Sequence, residues 1–256
     1  MANKLDAINK NDMEVVSDDI EKGFDEESLS YCAVPKLVVI RIHIKEDLDK
    51  MLKRIEHQEE AIEGIDEVRR YAEAQRRGKF MYKPLVKELQ ALNVTGHYLE
   101  IGAGPGLLAA MLAEENPDLT ITAIDLSAQM AEVAFDFFRD HHLQDRINYV
   151  VGDVNDENVM LGLGKFDLVY STLSLHHWKE PERSIRNLWQ VVKENGTLYI
   201  CDFKRVWWLY FLPGANFIKA AYNSGEIEEM LYRSQIKNYK IKTLFPYCVQ
   251  SIVATK

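Results

Sequence analysis

The stretch Tyr98-Leu-Glu-Ile-Gly-Ala-Gly-Pro-Gly106 decides the fold: an apolar strand closes on an acid, and a glycine bend then opens a helix. Glycines at 102, 104 and 106 let a ligand approach backbone where a Cβ would stand in the way. The helix that follows offers free N–H groups and the positive end of its dipole to an anion. A GxGxxG loop, the dinucleotide-binding form, would need a glycine at 107, where this chain has Leu107, and it gives no role to Glu100.

Outward from this bend the chain alternates. Strand-like runs at 98–102, 120–125, 147–152, 166–172 and 197–203 are separated by helical segments near 106–115, 127–142 and 181–193. Such alternation predicts a parallel sheet with right-handed crossovers. A helix over 225–236 leads into strands at 238–244 and 247–254, and the short link at Pro246 makes those two antiparallel. The expected class is α/β: a doubly wound, mostly parallel seven-stranded sheet with an antiparallel C-terminal strand.

Asp125 ends the second strand, where a doubly wound sheet places the carboxylate that accepts hydrogen bonds from both ribose hydroxyls of a nucleoside. Asp153 ends the third strand on the same edge, in reach of an adenine amino group. Both aspartates could instead cap the helices that follow them.

Together the acid with GxGxG, the acid after strand two and the aspartate after strand three resemble the class I S-adenosylmethionine-dependent methyltransferases. Their fold is Rossmann-like, and the match runs from about 97 to 203. Within that superfamily, Phe166-Asp-Leu-Val-Tyr-Ser-Thr-Leu-Ser-Leu-His-His-Trp178 and Gly196-Thr-Leu-Tyr-Ile-Cys-Asp202 look like the ubiquinone and menaquinone methyltransferase branch. The resemblance implies S-adenosyl-L-methionine as cofactor, held by Glu100, Gly102, Ala103, Gly104, Asp125, Asp153 and Val154. It also implies that Leu126, Met130 and Ser171 line the pocket and that Gly106 shapes the loop. One departure stands out: the family's lysine-proline-glycine-glycine turn before strand five reads Lys193-Glu-Asn-Gly196 here.

Methyl transfer from a sulfonium is an in-line displacement, so positioning is the main requirement, and a base is needed only where the acceptor must shed a proton. His176, His177 and Tyr170 lie at or just past strand four and are the candidates for that base. A metal is not expected, because adjacent histidine side chains diverge and no further ligands accompany them.

Val206-Trp-Trp-Leu-Tyr-Phe-Leu-Pro213 is apolar where connecting segments are usually polar. With Trp178, the side chains Trp207, Trp208, Tyr210 and Phe211 are read as a lid, within an insertion at about 204–222, for an aromatic or otherwise apolar small-molecule acceptor. Packing under the N-terminal cap is the alternative, and weak contact with a membrane surface is a lesser one.

Ahead of residue 94, residues 1–34 read as an acidic arm: residues 1–30 hold nine acids against three lysines. Over 35–93 a strand at 37–44 and a helical cap are expected, the cap following Leu48, Met51, Leu52, Ile55 and Ile62 and continuing through Ile65, Val68 and Ala72. The strand could pair with a second copy, as in a homodimer, or extend its own sheet.

The net charge of −9 sits largely in that arm, and the nearly neutral body lacks the basic footprint of a nucleic-acid partner. No run approaches the roughly 20 apolar residues of a membrane span, and no secretory leader is seen, so a cytoplasmic address is expected. Cys32, Cys201 and Cys248 suggest reduced thiols. The activity expected is methyl transfer to a small organic acceptor; the alternative is a non-catalytic regulatory or assembly protein that binds S-adenosylmethionine or S-adenosylhomocysteine.

Overall fold

The computed structural model describes residues 52–56, 62, 64–244 and 247–256. The acidic arm, the strand expected at 37–44 and Cys32 lie outside the described residues. So do Leu48 and Met51.

From Ile65 the elements run α1 (Ile65–Arg77), a 3-10 turn (Lys79–Tyr82), α2 (Lys83–Gln90), β1 (His97–Ile101), α3 (Leu107–Glu115), β2 (Thr120–Asp125), α4 (Ala128–Asp140), β3 (Ile147–Val151) and α5 (Glu157–Gly162). There follow β4 (Phe166–Thr172), a 3-10 turn (Leu175–His177), α6 (Pro181–Val191), β5 (Val192–Phe203), α7 (Trp207–Tyr210), α8 (Asn216–Ala220), α9 (Ser224–Arg233), β6 (Tyr239–Leu244) and β7 (Val249–Thr255). The seven strands form one sheet in the order β3-β2-β1-β4-β5-β7-β6. β1 to β5 pair in parallel, while β7 runs antiparallel to both β5 and β6. That is the expected doubly wound sheet with a reversed C-terminal strand.

Each strand contributes to both faces, as the two-residue period requires. Tyr98, Leu168 and Tyr170 join the core beneath α2, α3 and α4. Leu99, Ile101 and Val169 join the core against α6 and α9. Helix α3 is buried along nearly its whole length, Leu107 through Ala113, which explains its lack of a polar face.

Three local expectations are corrected. Residues 52–56 are not helical, and the described helix starting at Ile65 is separated from whatever precedes it by Gly64, whose φ of 93° cannot continue a right-handed helix. Strand β5 starts at Val192, not 197, with a register shift opposite Phe166 and Leu168. There Asn195 takes φ 65°, so the segment read as a turn is an irregularity within one strand. Helix α5, too short to show a period, was not anticipated. Among the described residues no helix is long and apolar enough to cross a membrane.

Candidate active site

The glycine bend is latched from three sides. Gly102 N and Ala103 N both donate to Ile124 O, at 2.9 and 3.2 Å, tying the end of β1 to the end of β2. Asp125 Oδ2 accepts from Gly104 N at 2.9 Å, and Tyr149 on β3 donates its hydroxyl to Gly104 O at 2.6 Å. The middle glycine is thus held at both its N–H and its carbonyl by side chains of the next two strands. Gly106 takes φ 78° at the N-cap of α3, and a Cβ there would lie 2.4 Å from the Phe138 ring. Gly102 takes φ 68°, and its missing Cβ leaves room for Ser174, which would otherwise stand 2.8 Å away. Only glycine meets both demands at either position.

All three acids stand at the carboxyl ends of parallel strands, the edge where such sheets bind ligands. Glu100 is buried, and burial pushes its carboxyl up to about 8 from an ordinary 4.5. Its Oε2 has no hydrogen-bond partner. Asp125 is half-buried, and besides Gly104 N it accepts from Ser127 N at 3.0 Å through Oδ1. Asp153 is exposed, with Oδ1 accepting from Asn155 N at 2.8 Å. Neither aspartate is a helix cap: Ser127 caps α4 and Asp156 caps α5. That removes the helix-cap reading for both aspartates.

The other expected cofactor contacts divide. Leu126, 72% exposed directly after Asp125, stands open as an apolar platform. Val154 is half-buried with its carbonyl taken by Asn187 Nδ2. Ser171 is fully buried, in contact with Ile101 O and Ser174 Oγ. Met130 packs with Val68, Ala72 and Val133, between α1 and α4.

Past β4, His176 is buried against an aspartate at the end of β5. Its Nδ1 lies 2.7 Å from Asp202 Oδ1, and its backbone N donates to Asp202 Oδ2 at 2.7 Å. An ionised carboxylate only accepts, so this pairing favours the tautomer with its proton on Nδ1 and a lone pair on Nε2. His177 is exposed, and its ring lies tilted at 43° against that of His176, with centroids 3.9 Å apart. Tyr170 is displaced from the candidate bases: it is fully buried beside Glu100, and burial holds its hydroxyl far above the ordinary phenol range. A phenol that keeps its proton there accepts none from a substrate. Trp178 also leaves the lid, since its Nε1 donates to Ser174 Oγ at 3.1 Å and its ring packs on the α6 side.

The insertion after β5 consists of two short helices, α7 and α8. Val206, Ala215 and Ile218 pack inward with Cys248, while Phe211 is 74% exposed and Trp207 and Trp208 are also exposed. Fully buried Arg205 roots it, donating to Ala221 O at 2.7 Å and to Glu226 Oε1 at 2.5 Å. Tyr210 donates its hydroxyl to Lys53 O at 2.9 Å. Asp202, Tyr149 and Arg205 were not singled out from sequence. Asp202 carried a signal, an acid ending an apolar strand as Asp125 does; the other two carried none.

S-adenosyl-L-methionine fits this edge. The unpartnered Glu100 oxygen can serve its ammonium, and a Cβ built on Gly104 meets nothing within 4 Å, so open space faces the bend. Residues 99–200 match the model of a methyltransferase domain. The chain is 29% identical over 135 residues to a malonyl-[acyl-carrier protein] O-methyltransferase of Priestia megaterium, covering 52% of this chain and 46% of that one. It is 29% identical over 124 residues to a ubiquinone biosynthesis O-methyltransferase of Coxiella burnetii, covering 48% and 50%. The match therefore spans about half the length of these curated relatives. The fold superposes on a SAM dependent methyltransferase from Aquifex aeolicus with a TM-score of 0.59 at 17% identity, covering 75% of this chain and 98% of that one. Residues 99–200 thus resemble a methyltransferase domain, and the latched bend and strand-end acids fit S-adenosyl-L-methionine as its cofactor.

Proposed function

We propose that the protein methylates an oxygen of a small, apolar or aromatic acceptor seated between the His176 turn and the aromatic insertion. The observation that carries this reading is the pairing of His176 with Asp202 on the same carboxyl edge as the glycine bend. The names of the relatives, both O-methyltransferases, favour oxygen.

When bound, the cofactor supplies an electrophilic methyl on a positively charged sulfonium. Glu100, the bend at 102–106, Asp125 and Asp153 orient it by the ammonium, carboxylate, ribose and adenine. With the cofactor bound, His176 Nε2 would take the proton of the acceptor hydroxyl as that oxygen accepts the methyl group. Asp202 then stabilises the resulting imidazolium. Exposed apolar side chains such as Trp208 and Phe211 exclude water from the acceptor.

The test is transfer of labelled methyl from S-adenosyl-L-methionine to a panel of hydroxylated aromatic and aliphatic compounds, with His176→Ala as control. Transfer to a hydroxyl that falls about 100-fold or more in the variant supports the reading. Tight cofactor binding without transfer to any compound would instead favour a binding protein.

A further inference from the structure

His176 is held from two directions, and the second hold comes from far away in the chain. Asp202 grips its ring and its N–H. Its carbonyl accepts from Arg54 Nη2 at 3.2 Å, across 122 residues. The same guanidinium donates through Nε to Ala220 O at 2.6 Å, at the end of α8, and lies 4.3 Å over the Tyr222 ring. Its side chain is only 16% exposed, so these bonds form out of bulk water; the remaining pair, with solvent-facing Glu56, adds little.

The backbone on either side of Arg54 is fastened to the same insertion. Ile55 N donates to Lys219 O at 3.0 Å, and Lys53 O accepts from the Tyr210 hydroxyl. Residues 53–55 thus form a strap along α7 and α8, and Arg54 reaches from that strap to the His176 turn. The strap's hydrogen bonds go to the insertion, to the His176 turn and to Glu56, and none goes to the glycine bend, Asp125 or Asp153 among the described residues.

We propose that Arg54 is a positioning residue of the acceptor half of the site, tying the turn that carries His176 to the insertion at 206–222 so that both present to the acceptor as one unit. This rests on the reading of that rim as the acceptor's place. Lysine could not substitute, since a point charge lacks the planar fork that serves two carbonyls while stacking on a ring.

The experiment compares amide hydrogen exchange in the full-length wild type, Arg54→Ala and Arg54→Lys, with S-adenosylhomocysteine affinity by calorimetry and the His176 ring nitrogens by 15N NMR. Exchange in both 175–178 and 206–222 should accelerate about tenfold or more in Arg54→Ala and nearly as much in Arg54→Lys. Exchange in β1 to β5 and cofactor affinity should stay within about twofold of wild type, and the His176 signals should broaden as the ring loses its single setting. The proposal is overturned if either segment keeps wild-type exchange, if the lysine variant behaves as wild type, or if acceleration spreads through the sheet. Should Arg54→Ala not fold, the lysine variant decides alone. Failure of the wild type to bind S-adenosylhomocysteine would remove the proposed function but leave the exchange comparison decisive for the coupling.

Discussion

The two halves of the site are built in opposite ways. In the proposed cofactor half the candidate groups sit at or just past the ends of regular strands, and their partners are near in the sheet: Gly104 is held by Asp125 and Tyr149 from β2 and β3. In the proposed acceptor half the groups sit on a short 3-10 turn, two short helices and an irregular strap, brought together by side chains distant in sequence. A rim made of strand ends is rigid because the sheet behind it is rigid. A rim made of connections must be fastened by individual bonds.

The largest expected effect tests the rigid half. Asp125→Ala removes the Gly104 latch and the proposed ribose contact, and S-adenosylhomocysteine affinity measured by calorimetry should fall about 30- to 1,000-fold. Retention of affinity would mean that the acids on this edge do not grip the cofactor.

Glu100 sharpens the contrast through pH. Its pKa is raised in the folded, ligand-free protein, so the neutral carboxyl stabilises the fold below about 4.5, and that stability is lost as pH rises toward about 8. Within this window the slope should be about 1.4 kcal/mol per pH unit at most, and denaturant titrations of Glu100→Gln should lack it. A bound ammonium favours the carboxylate, so cofactor binding near pH 6.5 should release about one proton, visible as a dependence of binding heat on the buffer's ionisation enthalpy. Buffer-independent heats would place the ammonium elsewhere.

Gly106→Ala should destabilise the protein by about 2 kcal/mol or more, from the left-handed backbone and the crowding of Phe138. Urea midpoints measure this. Smallest of all in stability is Phe211→Ala, within about 0.5 kcal/mol because the ring is largely exposed. Its effect should appear instead as a several-fold rise in the acceptor KM. If stability fell and KM did not move, the insertion would be packing and not a lid.

Legibility followed the same division. The glycine bend, Asp125 and Asp153 could be read because strand, acid and glycine follow each other within a few residues, and the structure found them on one edge. Their alternative as caps was settled only by Ser127 and Asp156, which do the capping. Tyr170 looked like a base because it ends a strand near the histidines, yet the pleat turns it inward onto Glu100, and burial keeps its proton. Trp178 looked like lid by its type, and a single hydrogen bond to Ser174 assigns it to the turn instead.

By itself the sequence determined the strand–helix alternation, the reversal of the last strand and the cofactor edge, since these follow from short-range periodicity and from residues adjacent in the chain. Only the tertiary structure decided that Asp202 holds His176, that Tyr149 pins Gly104 and that Arg54 joins the strap to the turn. Those partners are separated by 26, 45 and 122 residues. A hydrogen bond needs its two groups within about 3 Å, and no local pattern records which distant residues the folded sheet will bring that close.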